Sequence, residues 1–238
     1  MIYLSEMERF TKRYCDMELT CLTVTAHLKT NSHIVNYDPI YLDNLLAWCV
    51  VDEATSGQGV PDTPEAYWAP LPLKLADYIN ELPLWLSSVF VPEGDCIEDV
   101  KYHHKRIMSG EWSQTKSLNT NVGRWMERRI PVPTLVSDRL SARCCGNKEE
   151  IERLIQKINF LGKHRRVGYG EIARWDVEPG DFTENEIFTL DGVLAHALPT
   201  GYDGVKVEAL PTIVGWTPPQ WKVSLQTEGW PIGTKVLS

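Results

Sequence analysis

Lys163, His164, Arg165 and Arg166 run directly into Gly168-Tyr169-Gly170. Consecutive cations followed by glycines can hold an anion in two ways, through charge and through backbone N–H groups that glycine lets approach closely. Gly168, Gly170 and Ala173 also satisfy the spacing G-x-G-x-x-G/A. That fingerprint grips a dinucleotide only when a strand precedes it and a helix follows, so that the helix N-terminus faces the pyrophosphate. Here the periodicity places a helix before the glycines and a strand after them, which rejects a dinucleotide site.

Two further groups could do chemistry. His103 and His104 are adjacent, in a stretch that reads as a strand, so their side chains point to opposite faces and do not share one metal ion. No metal and no cofactor is expected. The second group is spread along residues 101–145. After Lys105 and Arg106, Lys116, Arg124, Arg128, Arg129, Arg139 and Arg143 are interleaved with Trp112 and Trp125, and Asn119, Asn121 and Gly123 lie between them. Cations beside flat aromatic faces suit a phosphate chain with unstacked bases. A solvated basic loop whose tryptophans sit in the core explains the same residues.

Charge favours the first of these readings. The 238 residues carry a net charge of −8, but residues 101–174 hold 16 of the 24 Lys and Arg and 7 of the 32 Asp and Glu. A segment of +9 between flanks totalling −17 is a basic middle, and a polyanion would follow it.

The elements that position these residues follow from periodicity. Asn147 with Glu150 reads as an N-cap and capping box, and Ile151, Leu154, Ile155, Ile158 and Leu161 recur as one apolar helical face, ended by Gly162. The four basic residues would then sit at a helix C-terminus. There they either offset the negative end of the dipole or stay free for an outside anion. Ile172 to Val177 alternate as a strand, with Trp175 equally suited to core and solvent. Residues 18–28 form a strand rich in Thr, Val and Leu, whose His27 reads as a satisfied surface histidine. Leu42, Leu45, Leu46, Cys49 and Val50 mark a helix over about 42–51, and residues 71–112 hold short strands.

Residues 1–16 are a polar lead-in, residues 17–178 the main domain with its basic insertion at about 101–145, and residues 179–238 a smaller β-rich region with a rigid aromatic turn at Trp216, Pro218, Pro219 and Trp221. No apolar run reaches the roughly 18 residues of a membrane span, and residues 1–19 contain no uninterrupted apolar signal segment. Six cysteines without a C-x-x-C pair predict reduced, structural thiols and a cytoplasmic protein without membrane contact.

A helix followed by G-K-x-x-x-x-G-Y-G-x-I, in a chain that carries Leu42-Asp43-Asn44-Leu45-Leu46-Ala47 after its first strand, resembles the RAMP superfamily of CRISPR effector subunits, and within it the Cas-five-like subunit of type IV systems. The family's glycine-rich loop maps onto Gly162 to Gly170. Its L-D-G-L-L-A segment maps onto Leu42 to Ala47, with Asn44 in the glycine position. The likeness covers residues 19–176.

It implies an α+β, ferredoxin-like (RAMP/RRM-like) domain of order β-α-β-β-α-β with a glycine-rich loop, in agreement with the order of elements read above. It also implies a non-catalytic subunit that binds crRNA, caps its 5′ handle and contacts the backbone and large subunits of a ribonucleoprotein complex. On this reading Lys163, His164, Arg165, Arg166, Gly168, Tyr169 and Gly170, with Lys105, Arg106, Lys116, Arg124, Trp125, Arg128 and Arg129, carry the RNA contacts. Some relatives instead cleave the guide precursor without metal, for which His164 beside Lys163, or His103 and His104, would be the histidines. An assembly protein whose basic middle meets an acidic subunit is the third reading.

Overall fold

The structure, a computed structural model, describes residue 14 and residues 16–29, 33–35, 39–57, 69–105 and 128–237. In chain order the elements are strands β1 (Thr20–Leu28) and β2 (His33–Val35), helix α1 (Leu42–Ala54), and strands β3 (Leu75–Ile79), β4 (Leu82–Trp85), β5 (Val91–Pro92), β6 (Ile97–Lys105), β7 (Arg128–Val136) and β8 (Arg139–Gly146). Helix α2 (Lys148–Ile155) and strand β9 (Ile172–Pro179) follow. The rest is short: β10 (Thr189–Leu190), β11 (Val193–Leu194), β12 (Leu198–Pro199), β13 (Thr212–Val214) and β14 (Thr227–Trp230). The class is α+β, and every strand pairing among the described residues is antiparallel.

β1 organises the main sheet. Its period-2 pattern turns Leu22, Val24, Ala26 and Leu28 inward, and it pairs with β8 on one side and β9 on the other, giving the order β5-β8-β1-β9. In the chain, α1 follows β1 and α2 joins β8 to β9, so this sheet and its helices run strand, helix, strand, strand, helix, strand. Both helices pack on the inward face. Leu42, Leu46, Cys49 and Val50 of α1 and Ile151, Leu154 and Ile155 of α2 are fully buried there, each stabilising the fold by about 1.5 to 3 kcal/mol. At the helix pair Arg153 bridges Glu150 and Glu53, donating from Nη2 to Glu53 Oε2 at 2.8 Å, and Lys157 also pairs with Glu53.

Three sequence expectations change here. Helix α1 continues to Ala54 rather than stopping near Val51. Asn147 does cap α2, its side chain accepting from the Glu150 N–H at 2.9 Å, but the return half of the capping box is not made, because the Asn147 N–H donates instead to the Pro72 carbonyl at 2.9 Å. The third change moves the basic loop: α2 ends at Ile155, well short of Leu161.

Ile158 and Leu161 are buried as their period required, but they reach the core by a non-helical route. Trp175 donates its indole N–H to the Ile158 carbonyl at 2.9 Å, and Ile172 N–H donates to Asn159 at 2.9 Å. Backbone groups that would have extended the helix are thereby engaged by β9. Lys163 to Arg166 therefore lie several residues beyond the helix end, and offsetting its dipole is not their role.

β6 and β7 pair along all nine residues, from Ile97 opposite Val136 to Lys105 opposite Arg128, and form a two-stranded ribbon that β2 joins at its base. The residues after β9 build the second core, in which Ile187, Phe188, Leu194, Leu198 and Trp216 pack on Ile79, Leu84 and Leu86 and on Cys145, which lies on the sheet face away from the helices. A buried polar knot ties this region to α1. Asp43 accepts from Gln220 Nε2 at 3.0 Å and faces His196 Nε2 at 3.3 Å, with all three side chains nearly or fully inaccessible.

Candidate nucleic-acid interface

The loop at 162–170 is closed at its base by the Leu161 N–H donating to Gly170 at 2.8 Å and by the bridge between Phe160 and Glu171. Within it a short 3-10 turn spans Arg165–Val167, its entry residue His164 at φ 58° and its exit residue Gly168 at φ 86°. Gly168 and Gly170 both take positive φ, but for different reasons. A Cβ on Gly168 meets nothing within 4 Å, whereas one on Gly170 would lie 1.9 Å from the Leu161 carbonyl oxygen. Gly170 holds the loop shut, and Gly168 shapes its tip. Lys163, His164, Arg165 and Arg166 are exposed, with Arg165 Nε donating to Gly162 at 3.2 Å.

The ribbon brings a second set of residues to this loop. His103 of β6 shares a hydrogen bond of 3.3 Å between Nε2 and the Tyr169 hydroxyl, and its ring stands 5.0 Å from that of His164. His164 and Tyr169 are themselves 6.4 Å apart, so three rings from segments about 60 residues apart in sequence converge. No periodicity announces this, because it depends on the register of β6 against β7 and on where the closed loop lands. Alternation along β6 does separate His103 from His104: the first meets the loop and the second is exposed on the other face.

The register sets Lys105 opposite Arg128 and His104 opposite Arg129. Arg128 and Arg129 are exposed at this end of the ribbon, which therefore carries positive charge. The Arg129 guanidinium stacks 3.7 Å from the centre of the Tyr102 ring. Of the remaining basic residues singled out above, Arg106, Lys116 and Arg124 lie outside the described residues, as do Trp112 and Trp125. Arg139 and Arg143 sit on β8, engaged with Glu93 at 3.7 Å and with the Phe182 ring at 5.0 Å. Loop and ribbon together thus present exposed Lys163, His164, Arg165, Arg166, Arg128 and Arg129, while their bases are pinned to the core.

Elsewhere the surface is less suited to a polyanion. A shallow groove of about 540 Å³ between α2 and β9 is lined by four carboxylates, Glu149, Glu152, Asp176 and Glu178, against two cations, Lys148 and Arg153, a balance that disfavours phosphate. Among the described residues no three or more His, Cys, Asp or Glu side chains are grouped to hold a metal ion, and no helix is long and apolar enough to cross a membrane.

Comparison with known proteins adds an identity to this geometry. The family described as CRISPR type IV associated protein Csf3 matches residues 94–227, more than half of the chain, including the ribbon, α2, the loop and β9. No curated protein matches. A chain of the Type III-B Cmr-beta complex bound to cognate target RNA, solved by cryo-EM, is similar at 13% sequence identity and a TM-score of 0.31. That match covers 74% of this chain and 66% of the other, just under two thirds of its length. At that level the likeness fixes neither fold nor function.

Proposed function

The chain belongs to the family of the CRISPR type IV associated protein Csf3, and from that premise we propose that it is a non-catalytic crRNA-binding subunit of a type IV ribonucleoprotein complex, capping the 5′ handle of the guide. One observation carries this reading: the loop at 162–170 and the ribbon of β6 and β7 meet at His103, His164 and Tyr169, so that cations from two distant segments are brought together, with Arg129 on the ribbon face turned away from the loop. Lys163, Arg165, Arg166, Arg128 and Arg129 neutralise phosphates, and the loop backbone comes close to the strand at Gly168. Binding and shape readout suffice, without metal or cofactor.

On the same reading the four-stranded sheet with α1 and α2 is a ferredoxin-like RAMP lobe, and the loop is the family's glycine-rich loop. The order β5-β8-β1-β9 with one helix after β1 and one before β9 supports this. The second core covers one end of the sheet face away from the helices, at Cys145, while Thr25, His27 and Ser141 on that face stay half-buried. Leu210, Ile213, Trp221 and Val223, exposed on the C-terminal region, offer the kind of apolar surface that a backbone or large subunit covers. The assembly works in the cytoplasm.

Fluorescence anisotropy with two labelled guides tests the proposal, one carrying the repeat-derived 5′ handle and the other lacking it. Tighter binding of the handle-bearing guide is expected, and equal binding of the two contradicts capping. The ring cluster favours a second reading, metal-independent cleavage of the guide precursor. His103 or His164 would take the proton of a ribose 2′-hydroxyl, and Lys163 would steady the developing charge. Specific cleavage of labelled repeat RNA in EDTA, lost in His164→Ala, would establish it.

A further inference from the structure

β6 has a second face. His103 points at the loop, so Val100, Tyr102 and His104 project to the opposite side, where the register sets Pro133, Pro131 and Arg129 across from them. Nothing in the fold covers this face among the described residues: Val100 and Tyr102 are each 46% exposed, and His104, Arg129, Pro131 and Pro133 are exposed as well. Other aromatic rings of the chain are exposed too, but this one is braced. The Arg129 guanidinium lies over the ring at 3.7 Å, and among the described residues no carboxylate pairs with that guanidinium. Its N–H donors are left for an outside acceptor.

We propose that Tyr102 and Arg129 form a stacking site for an unpaired nucleobase, on the face of the ribbon opposite the loop. A base stacks against the flat tyrosine–guanidinium pair, while Arg128 and the loop hold phosphates of the same strand from the other side of the ribbon. The face is apolar and cationic together, a combination that fits a π-system carrying a phosphate chain. A protein surface would have to leave Arg129 without a counter-charge or bring a carboxylate to it. Ionic complementarity therefore selects single-stranded RNA, and continuity with the loop's cations gives the base a strand to belong to. Stacking of this kind tolerates any base, since each presents a flat face. This inference rests on the reading of the chain as an RNA-binding subunit.

The test separates the two claims by using the full chain and two probes of equal length and charge, a ten-nucleotide oligouridylate and an abasic ribose-phosphate decamer. The wild-type protein is expected to bind the base-bearing strand about 5- to 150-fold more tightly. Tyr102→Ala should abolish that preference while leaving affinity for the abasic strand unchanged, and Tyr102→Phe should retain it, because the ring and not the hydroxyl stacks. Tyr102→Leu keeps bulk without a π-face and reads the same loss if the alanine variant folds poorly. A preference that survives in both Tyr102→Ala and Tyr102→Leu overturns the site. Equal binding of the two probes by wild type overturns stacking but leaves phosphate binding standing, and binding of neither overturns the RNA-binding reading together with this inference. Normal binding of both probes by Tyr102→Ala, with loss of a co-expressed subunit, assigns the face to a protein and also overturns the proposal.

Discussion

Gly170→Ala is the sharpest test of how the loop is held. At φ 68° an added Cβ meets the left-handed penalty of about 1 to 2 kcal/mol. It would also stand 1.9 Å from the Leu161 carbonyl oxygen and 2.9 Å from its carbon. Neither atom belongs to a flexible side chain, and Leu161 is fully buried, so the backbone must move against the core. That movement strains the 2.8 Å bond from Leu161 N–H to Gly170, worth about 0.5 to 1.5 kcal/mol. The combined cost is about 3 to 5 kcal/mol, a large share of the roughly 5 to 15 kcal/mol that stabilises a domain. Gly168→Ala is the control: at φ 86° it carries the same conformational penalty but meets no atom within 4 Å, so about 1 to 2 kcal/mol is expected. Urea unfolding of the two variants beside wild type measures both. A Gly170→Ala protein within 1 kcal/mol of Gly168→Ala would refute the reasoning, because the closed base would then not depend on backbone contact.

Trp175→Ala should cost about 3 to 5 kcal/mol in the same unfolding assay, since the indole is buried and donates to the Ile158 carbonyl at 2.9 Å. Asp43→Ala leaves donors of the buried Gln220 and His196 without their partner, so a loss of about 1 to 3 kcal/mol is expected, with hydrogen-exchange protection falling first in residues 187–230. Arg153 and Lys157 hold the Glu53 carboxyl down at about 2, below its ordinary 4.5. This contribution is complete above about pH 4.5 and is lost as pH falls through 2, so Glu53→Gln should flatten the acid limb of a stability–pH curve measured by denaturant unfolding.

Much of the architecture was legible because it rests on short-range patterns. The alternation of Leu22, Val24 and Ala26 and the helical spacing of Leu42, Leu46 and Cys49 place the central strand and the first helix within a few residues. The end of the second helix was not legible, since Ile158 and Leu161 are apolar at helical spacing whether or not the helix continues, and the bond that holds the Ile158 carbonyl outside a helix comes from the Trp175 indole on the following strand. Trp175 itself was ambiguous until the register shift between His27 and Leu28, which skips Ala173, turned both Ile172 and Trp175 inward. At the candidate site the cations and glycines were visible as residue types. Their meeting with His103 was not, because it is set by a nine-residue ribbon register, and the Tyr102–Arg129 stack depends on the same register. The tie between Asp43 and His196 spans 153 residues and has no local signature.

The salt dependence of RNA affinity tests the central claim most directly. Titrations of wild type and of the triple variant Lys163→Ala, Arg165→Ala, Arg166→Ala against single-stranded guide RNA, repeated between 50 and 300 mM salt, give the slope of log affinity against log salt. Each lost phosphate contact lowers that slope by about 0.7, so a drop of about 2 is expected if all three side chains meet phosphate. An unchanged slope in a folded triple variant would contradict the account.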